Sequence, residues 1–278
     1  MSADGPRLLT VDYEAWYHAL ALAPWLPEDM RGSLPDRLER VTEELLALFA
    51  EVGARATFFV LGEVARRRPR LVRAIAEAGH EIASHGHAHR PLWAETPASF
   101  RRDVARAKAV LEDVAGTPVV GYRAPNFSLG PGTAWAAEVL AGTGHRYSSS
   151  HHPVLLRGRG GGQPRHVHRR GGLLEIPLPT LGGLPFAGGA WARLLPAAWM
   201  RTALRLHRPH VDRPLVLYLH PWELDPGQPR LPQLPLRVRL RHYAGIHRLH
   251  RLLPRLLRRH GPWRAIREVL PELEAAVP

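Results

Sequence analysis

The 278 residues contain no cysteine, which excludes disulfides, thiolate catalysis and cysteine-ligated metal. Lysine is almost missing as well: Lys108 is the only one among 38 basic residues, and the rest are arginine. So uniform a skew reads as base composition of the genome rather than as a patch selected for a polyanion. Nowhere does the sequence approach the roughly 18 uninterrupted apolar residues of a membrane span. The opening Met1-Ser-Ala-Asp-Gly-Pro-Arg has no apolar leader segment before a strand-like stretch begins. These absences lead us to expect a soluble, cytoplasmic protein. No low-complexity linker or internal repeat divides the chain, so residues 1–278 are expected to form a single domain.

Hydrophobic residues make up 45% of the sequence, ample for a proper core, and the formal net charge is +13. A balance that basic raises nucleic acid or an anionic membrane as a partner. The densest basic run, Arg237 to Arg259, has only Tyr243 interleaved as an aromatic. Without more stacking groups it reads as a basic amphipathic surface helix, so no nucleic-acid partner is expected, while peripheral contact with the inner membrane surface stays open.

The apolar pattern alternates between strand-like and helix-like segments. Strands are expected at Arg7–Glu14, Ala54–Leu61, His80–Ala83, Val119–Arg123, His145–Ser150 and Pro214–His220. Helices are expected from a cap at Ser33 or Asp36 to about Val52, after Pro69 to Gly79, at Pro97–Ala115, Pro131–Ala141 and Trp191–Leu206, and in the tail from about Leu240. Long loops are expected at 15–32 and 151–172, and an extended segment at Leu173–Thr180. Alternation at this spacing implies an α/β fold with a parallel sheet, either closed into a barrel or open and doubly wound.

The chemistry-bearing types fall at the strand ends. Ala83-Ser-His-Gly-His-Ala-His89 follows the third strand, and a helical turn there would put His85 and His89, spaced i and i+4, on one face with His87 pointing elsewhere. With cysteine missing, a metal site would be built from histidine and carboxylate, the open type that activates water. The plainer alternative is a solvated, histidine-rich loop. Asp12 and Glu14, Arg123 and His220 also lie at or just past C-terminal strand ends, where barrel active sites are assembled.

Taken in order, Asp12-x-Glu14, Thr57-Phe-Phe-Val, Gly79-His-Glu-Ile-Ala-Ser-His-Gly-His-Ala-His89, Gly121-Tyr-Arg-Ala-Pro-Asn-Phe-Ser128 and Tyr218-Leu-His-Pro-Trp-Glu223 resemble the motifs of the polysaccharide deacetylases with a NodB homology domain, carbohydrate esterase family 4. Arg230-Leu-Pro and Arg241-His-Tyr point to the subgroup associated with exosortase and exopolysaccharide clusters, with 236–278 as its C-terminal extension. The resemblance implies a distorted (β/α) barrel that removes acetyl groups from an N-acetylated oligo- or polysaccharide, lipid-linked in the reading that uses the membrane surface. It implies one divalent metal, zinc by default with cobalt or nickel also fitting, held by His85, His89 and a carboxylate. Asp12 matches the general base, Arg123 the residue that orients it, and His220 the general acid. Tyr13 stands where the family's metal-binding aspartate usually stands, so Glu14 is the expected ligand; positions 12 and 14 share a strand face. Leu219 and Trp222 are expected to form an apolar pocket and a stacking face for the sugar, with core packing the alternative for Trp222. The relatives' aspartate after Tyr147 is replaced here by Ser148-Ser-Ser150. His220 is therefore expected to keep a pKa near 6.5, unless Asp212 or Asp225 takes the missing partner's place. Two other functions remain open at this stage: hydrolysis of a small amide or ureide on the same barrel, and a degenerate carbohydrate-binding protein.

Overall fold

The computed structural model describes residues 5–26, 34–35, 37–154 and 163–277. Its core is one eight-stranded sheet. β1 (Arg7–Tyr13) is flanked by β10 (Leu215–Leu219) and β2 (Ala56–Val60), and the order continues through β3 (Glu81–Ser84), β4 (Gly121–Tyr122), β5 (Tyr147–Ser148), β7 (Leu173–Glu175) and β6 (His168–Arg170). All pairings are parallel except β6 with β7. β10 and β6 are the two ends of this order, so the sheet is a half-barrel rather than a closed ring. The extended segment expected at 173–180 begins as β7 and ends where a separate two-stranded ribbon starts, β8 (Thr180–Leu181) with β9 (Leu184–Pro185).

Helices connect the strands where sequence signals place them. α1 (Leu38–Glu51) turns Leu38, Val41, Leu45 and Phe49 into the core. The caps expected for it, Ser33 and Asp36, lie outside the described residues. α2 (Gly62–Arg67) and α3 (Pro69–Glu77) are separated at Arg68, because Pro69 fits the first turn of a new helix and disfavours a helical residue before it. α4 (Pro97–Ala115) has the expected bounds: the Thr96 hydroxyl accepts from Ser99 N at 3.2 Å, and Gly116 closes it in a left-handed conformation, φ 66°. α5 (Ala136–Gly142) begins later than expected, after a 3-10 turn at Pro131–Thr133. α6 (Gly189–Leu194) and α7 (Ala197–Leu206) split at Pro196, where one helix was expected. The loop expected from residue 15 onward contains two 3-10 turns, Trp16–His18 and Leu20–Trp25.

The tail is helical as expected, though it starts at Leu236 and is divided into three helices, and it is woven into the core. α8 (Leu236–Tyr243) is followed by α9 (Ile246–His260), which buries Leu249, Leu253, Leu256 and Leu257, and by α10 (Ile266–Ala275). A buried polar cluster ties α10 to the sheet. Thr57 Oγ1 accepts from Ile266 N at 2.8 Å and donates to Glu81 Oε2 at 2.7 Å, while Glu81 also accepts from Arg267 N and from the Tyr147 hydroxyl, each at 2.8 Å. This carboxylate sits at the start of a helix, where the peptide dipoles favour negative charge. It lies at the N-terminal end of β3, and His85 lies just beyond the other end.

Thr57→Val would leave Ile266 N unsatisfied in the interior and remove one of the two donors to Glu81 Oε2. We expect it to cost about 1–3 kcal/mol in urea unfolding, with the slope of the transition unchanged.

Candidate active site

The C-terminal ends of β1, β3, β4 and β10 bring together Asp12, Glu14, His85, His89, Arg123 and His220. Asp12 is the penultimate residue of β1, and Glu14 follows the strand, its N–H turned back to Asp12 O at 3.1 Å. One ligand atom each from Glu14, His85 and His89 lies within 4.8 Å of the other two, the only such group of three or more among the described residues. Glu14 Oε2 is 2.9 Å from His89 Nε2.

The two histidines do not converge through a helical turn. His85 N continues the β-ladder by donating to Val60 O at 2.9 Å, and the chain then reverses through Gly86 (φ 78°) and His89 (φ 54°) to bring the two rings to 5.2 Å. A Cβ on Gly86 would lie 2.9 Å from Asp103 Oδ2. That oxygen accepts from His87 N at 2.8 Å and so helps hold the reversal. The i, i+4 spacing was informative, but a left-handed turn realises it, not a helix.

Arg123 is fully buried, and its donors are spread over three partners. Nη1 donates to Asp12 Oδ1 at 2.7 Å and to Thr10 Oγ1 at 2.9 Å; Nε donates to Ser149 O and Nη2 to Ser149 Oγ, each at 2.8 Å. The guanidinium carbon also lies 4.2 Å from the centre of the Phe59 ring. Across from it, His220 Nε2 stands 3.9 Å from Asp12 Oδ2 and 3.8 Å from Glu14 Oε1. Its other nitrogen, Nδ1, pairs with Glu223 Oε2 at 3.0 Å, and Glu223 Oε1 takes Arg193 Nε at 3.0 Å.

The donor set fits a divalent metal. It holds two imidazoles and one carboxylate and no sulfur, the set used by open catalytic sites. Burial lowers the pKa of His85 to about 4, so the ring is neutral near pH 7, as ligation requires. His85 Nδ1 donates to Arg123 O at 2.8 Å, which fixes the tautomer and leaves Nε2 with its lone pair, the arrangement usual for a metal-bound imidazole. Burial pushes the Glu14 carboxyl upward, but the charge and hydrogen bond of His89 outweigh it and hold the group well below the usual carboxylate range.

Residues 31–145 match the family profile of polysaccharide deacetylases, and residues 149–271 match a domain of unknown function, DUF3473. The likeness to polysaccharide deacetylases thus falls on the N-terminal half, which supplies β2, β3 and β4. One sheet runs through both matched segments. Among curated proteins, a stretch of 65 residues is 45% identical to a chitooligosaccharide deacetylase of Sinorhizobium fredii, covering 23% of this chain and 28% of that protein. A stretch of 75 residues is 32% identical to a peptidoglycan-N-acetylglucosamine deacetylase of Bacillus cereus, covering 27% of each. The matched stretches thus span less than a third of these relatives. In solved structures the fold resembles that of a Mycobacterium smegmatis protein assigned as a polysaccharide deacetylase, at 21% identity, with 99% of this chain and 93% of that chain covered and a TM-score of 0.65. It also resembles a family 4 pseudoenzyme from Bacillus anthracis, at 12% identity, with 97% of this chain and 66% of that chain covered and a TM-score of 0.55.

Several expectations about the site need correction, and all concern residues beyond the segment that matches the deacetylase profile. His220 has a carboxylate partner after all, and it is neither Asp212 nor Asp225. Asp212 pairs with exposed His210, and Asp225 is engaged by Arg37 and Arg40. Glu223 was legible three residues beyond His220, at the spacing that one 3-10 turn brings together. Ser148 bonds Ser150 Oγ at 2.7 Å, and its neighbour Ser149 serves Arg123. Leu219 does not reach the cluster. It is registered with Val11 and buried in the core, on the strand face opposite Tyr218 and His220. Tyr218 takes the place expected of it, its ring 5.9 Å from that of His220 and 5.1 Å from Phe127. Trp222 is stacked on His220 at 5.1 Å and on His242 at 4.7 Å, and its indole N–H donates to Glu14 Oε1 at 3.2 Å. In this arrangement the indole braces the general-acid candidate and a ligand candidate.

Burial pushes His220 downward, but the hydrogen bond and charge of Glu223, joined by Glu14 and Asp12, raise its pKa from 6.5 to about 9. A raised pKa makes the charged ring's contribution to stability fully present below pH 6.5 and lost as the pH rises through about 9. In metal-stripped protein we expect NMR titration to place His220 near the upper value. Glu223→Gln should return it toward 6.5 and flatten the pH dependence of the urea midpoint over that window.

Proposed function

We propose that this chain is a metal-dependent hydrolase that removes N-acetyl groups from an N-acetylated saccharide. One observation carries the reading: the Asp12 carboxylate, held by Arg123, faces His220, itself held by Glu223, across 3.9 Å, beside a group able to hold one divalent ion. An amide is a poor electrophile with a poor leaving group, so its hydrolysis needs a base for water on one side and an acid for nitrogen on the other.

Each residue then has a task that follows from its contacts. Arg123 engages Asp12 Oδ1, leaving Oδ2 on the His220 side to accept the proton of the attacking water. His220 gives the proton on Nε2 to the departing amine nitrogen; Glu223 on Nδ1 keeps the ring protonated until that moment. Glu14, His85 and His89 would hold the ion, which when bound would acidify water and polarise the acetyl carbonyl. Tyr218 and Phe127 supply aromatic walls beside the reacting groups. Zinc is the first choice for this donor set, and cobalt and nickel satisfy it as well. The names of the partial relatives suggest an N-acetylglucosamine-containing acceptor. The Arg230-Leu-Pro and Arg241-His-Tyr segments support a role in exopolysaccharide assembly, on a lipid-linked saccharide reached by peripheral membrane contact.

The test is acetate release from N-acetylglucosamine oligomers by chelator-stripped protein, with zinc or cobalt added back. We expect release only with metal. Asp12→Asn should lower kcat by about 10²–10⁴-fold while calorimetry shows metal binding unchanged, whereas His85→Ala and His89→Ala should each lose tight metal binding. Turnover of a small ureide without acetate release from sugars, or saccharide binding indifferent to metal, would replace this reading with one of the two alternatives.

A further inference from the structure

α8 presents a surface that the chemistry of the site does not use. Its last turn faces inward: His242 and Tyr243 are buried, and His242 stacks on Trp222. Away from His242, on the stripe that ends at Tyr243, it carries Leu236 and Leu240, 63% and 56% exposed, one helical turn apart. The neighbouring turn Leu20–Trp25 packs against α8 and adds Leu20 and Trp25, each 40% exposed. Arg237, Arg239 and Arg241 are exposed on the same helix and form no ion pair among the described residues. Leu236, Leu240 and Arg239 also line an open groove of about 660 Å³, with Arg230 on its other wall.

We propose that α8 and the Leu20–Trp25 turn dock this protein on an anionic lipid bilayer. Leu236, Leu240 and Trp25 enter the boundary between headgroups and acyl chains, and the three arginines meet lipid phosphate. Exposed leucines and an indole interleaved with arginine are the composition of an interfacial helix. Charge complementarity selects the occupant. A second copy docked through the same face would bring two sets of arginines together, and a nucleic acid would gain nothing from leucines, which offer no stacking surface. α9, the other basic helix, lacks the apolar half: its leucines are turned into the core, and Arg258 is paired with Glu51. The His242–Trp222–His220 stack puts the docked helix next to the site, so a saccharide anchored in the same bilayer would be presented at it. That last clause alone rests on the deacetylase reading.

The experiment is flotation of the whole chain with vesicles of phosphatidylcholine plus phosphatidylglycerol, against vesicles of phosphatidylcholine alone. We expect binding to the anionic vesicles only, weakened by salt. Replacing Arg237, Arg239 and Arg241 by glutamine should lower the partition coefficient about a hundredfold, from about 1 kcal/mol per arginine at an anionic surface. Leu236→Ser with Leu240→Ser should also release the protein from vesicles, with its melting temperature and its turnover of soluble oligomers unchanged. Arg255→Gln with Arg259→Gln removes charge from α9 and should leave partitioning near wild type, which separates a docking face from bulk charge. Equal binding to both kinds of vesicle, binding that survives either α8 variant, or self-association that the α8 variants abolish would each overturn the proposal. Vesicle binding is read without turnover, so its failure would leave the deacetylase reading standing, and the reverse.

Discussion

The interior of this protein contains a full positive charge, and the site is built around keeping it satisfied. Arg123 has no contact with solvent, and an uncompensated guanidinium there would cost several kcal/mol. Four of its N–H groups are spent on Asp12, Thr10 and Ser149, and its flat face rests on Phe59. These partners come from β1, β2 and the end of β5, so the pairing also fixes how those strands are placed relative to one another. Removing Asp12 would therefore leave a buried charge unpaired as well as remove a carboxylate from the reacting centre.

A second buried ion chain runs along the other side of the cleft, from Arg193 through Glu223 to His220. The two chains act in opposite senses. Arg123 holds a negative group in place beside the candidate metal ligands, and Glu223 holds a positive one facing it. The resulting separation of charge across less than 4 Å is what acid and base chemistry on an amide requires. Trp222 ties the arrangement together by stacking on His220 while donating to Glu14. The opposite end of the sheet is given to stability, with Glu81, Thr57 and Tyr147 fastening α10.

Much of this was legible in the chain. The strands β1, β2 and β10 read as apolar runs because both faces of a parallel sheet are buried, and α4 could be bounded to the residue because Thr96 and Gly116 carry their own capping chemistry. Pro69 marked the restart that separates α2 from α3, and Pro196 could likewise have separated α6 from α7, since each sits at a break. The assignment of Leu219 failed for a reason of parity: residue 219 is one step from His220 and so faces the other way, and Tyr218 inherits its place. The missing carboxylate partner of His220 was sought near Ser148 and at Asp212 or Asp225, when a single 3-10 turn brought Glu223 to the ring.

By itself the sequence determined the alternation of strand and helix, the absence of any cysteine ligand, and which polar residues stand at the strand ends. These depend on local periodicity, capping and residue type, all of which are written within a few positions of one another. Only the tertiary structure decided that Gly86 and His89 fold back in left-handed conformations to pair His85 with His89, that Arg193 reaches Glu223, and that α8 turns its leucines outward. Those outcomes depend on which charged and apolar groups meet across long separations in the chain, and a buried charge takes whichever partner the packing of the whole sheet brings within hydrogen-bonding distance.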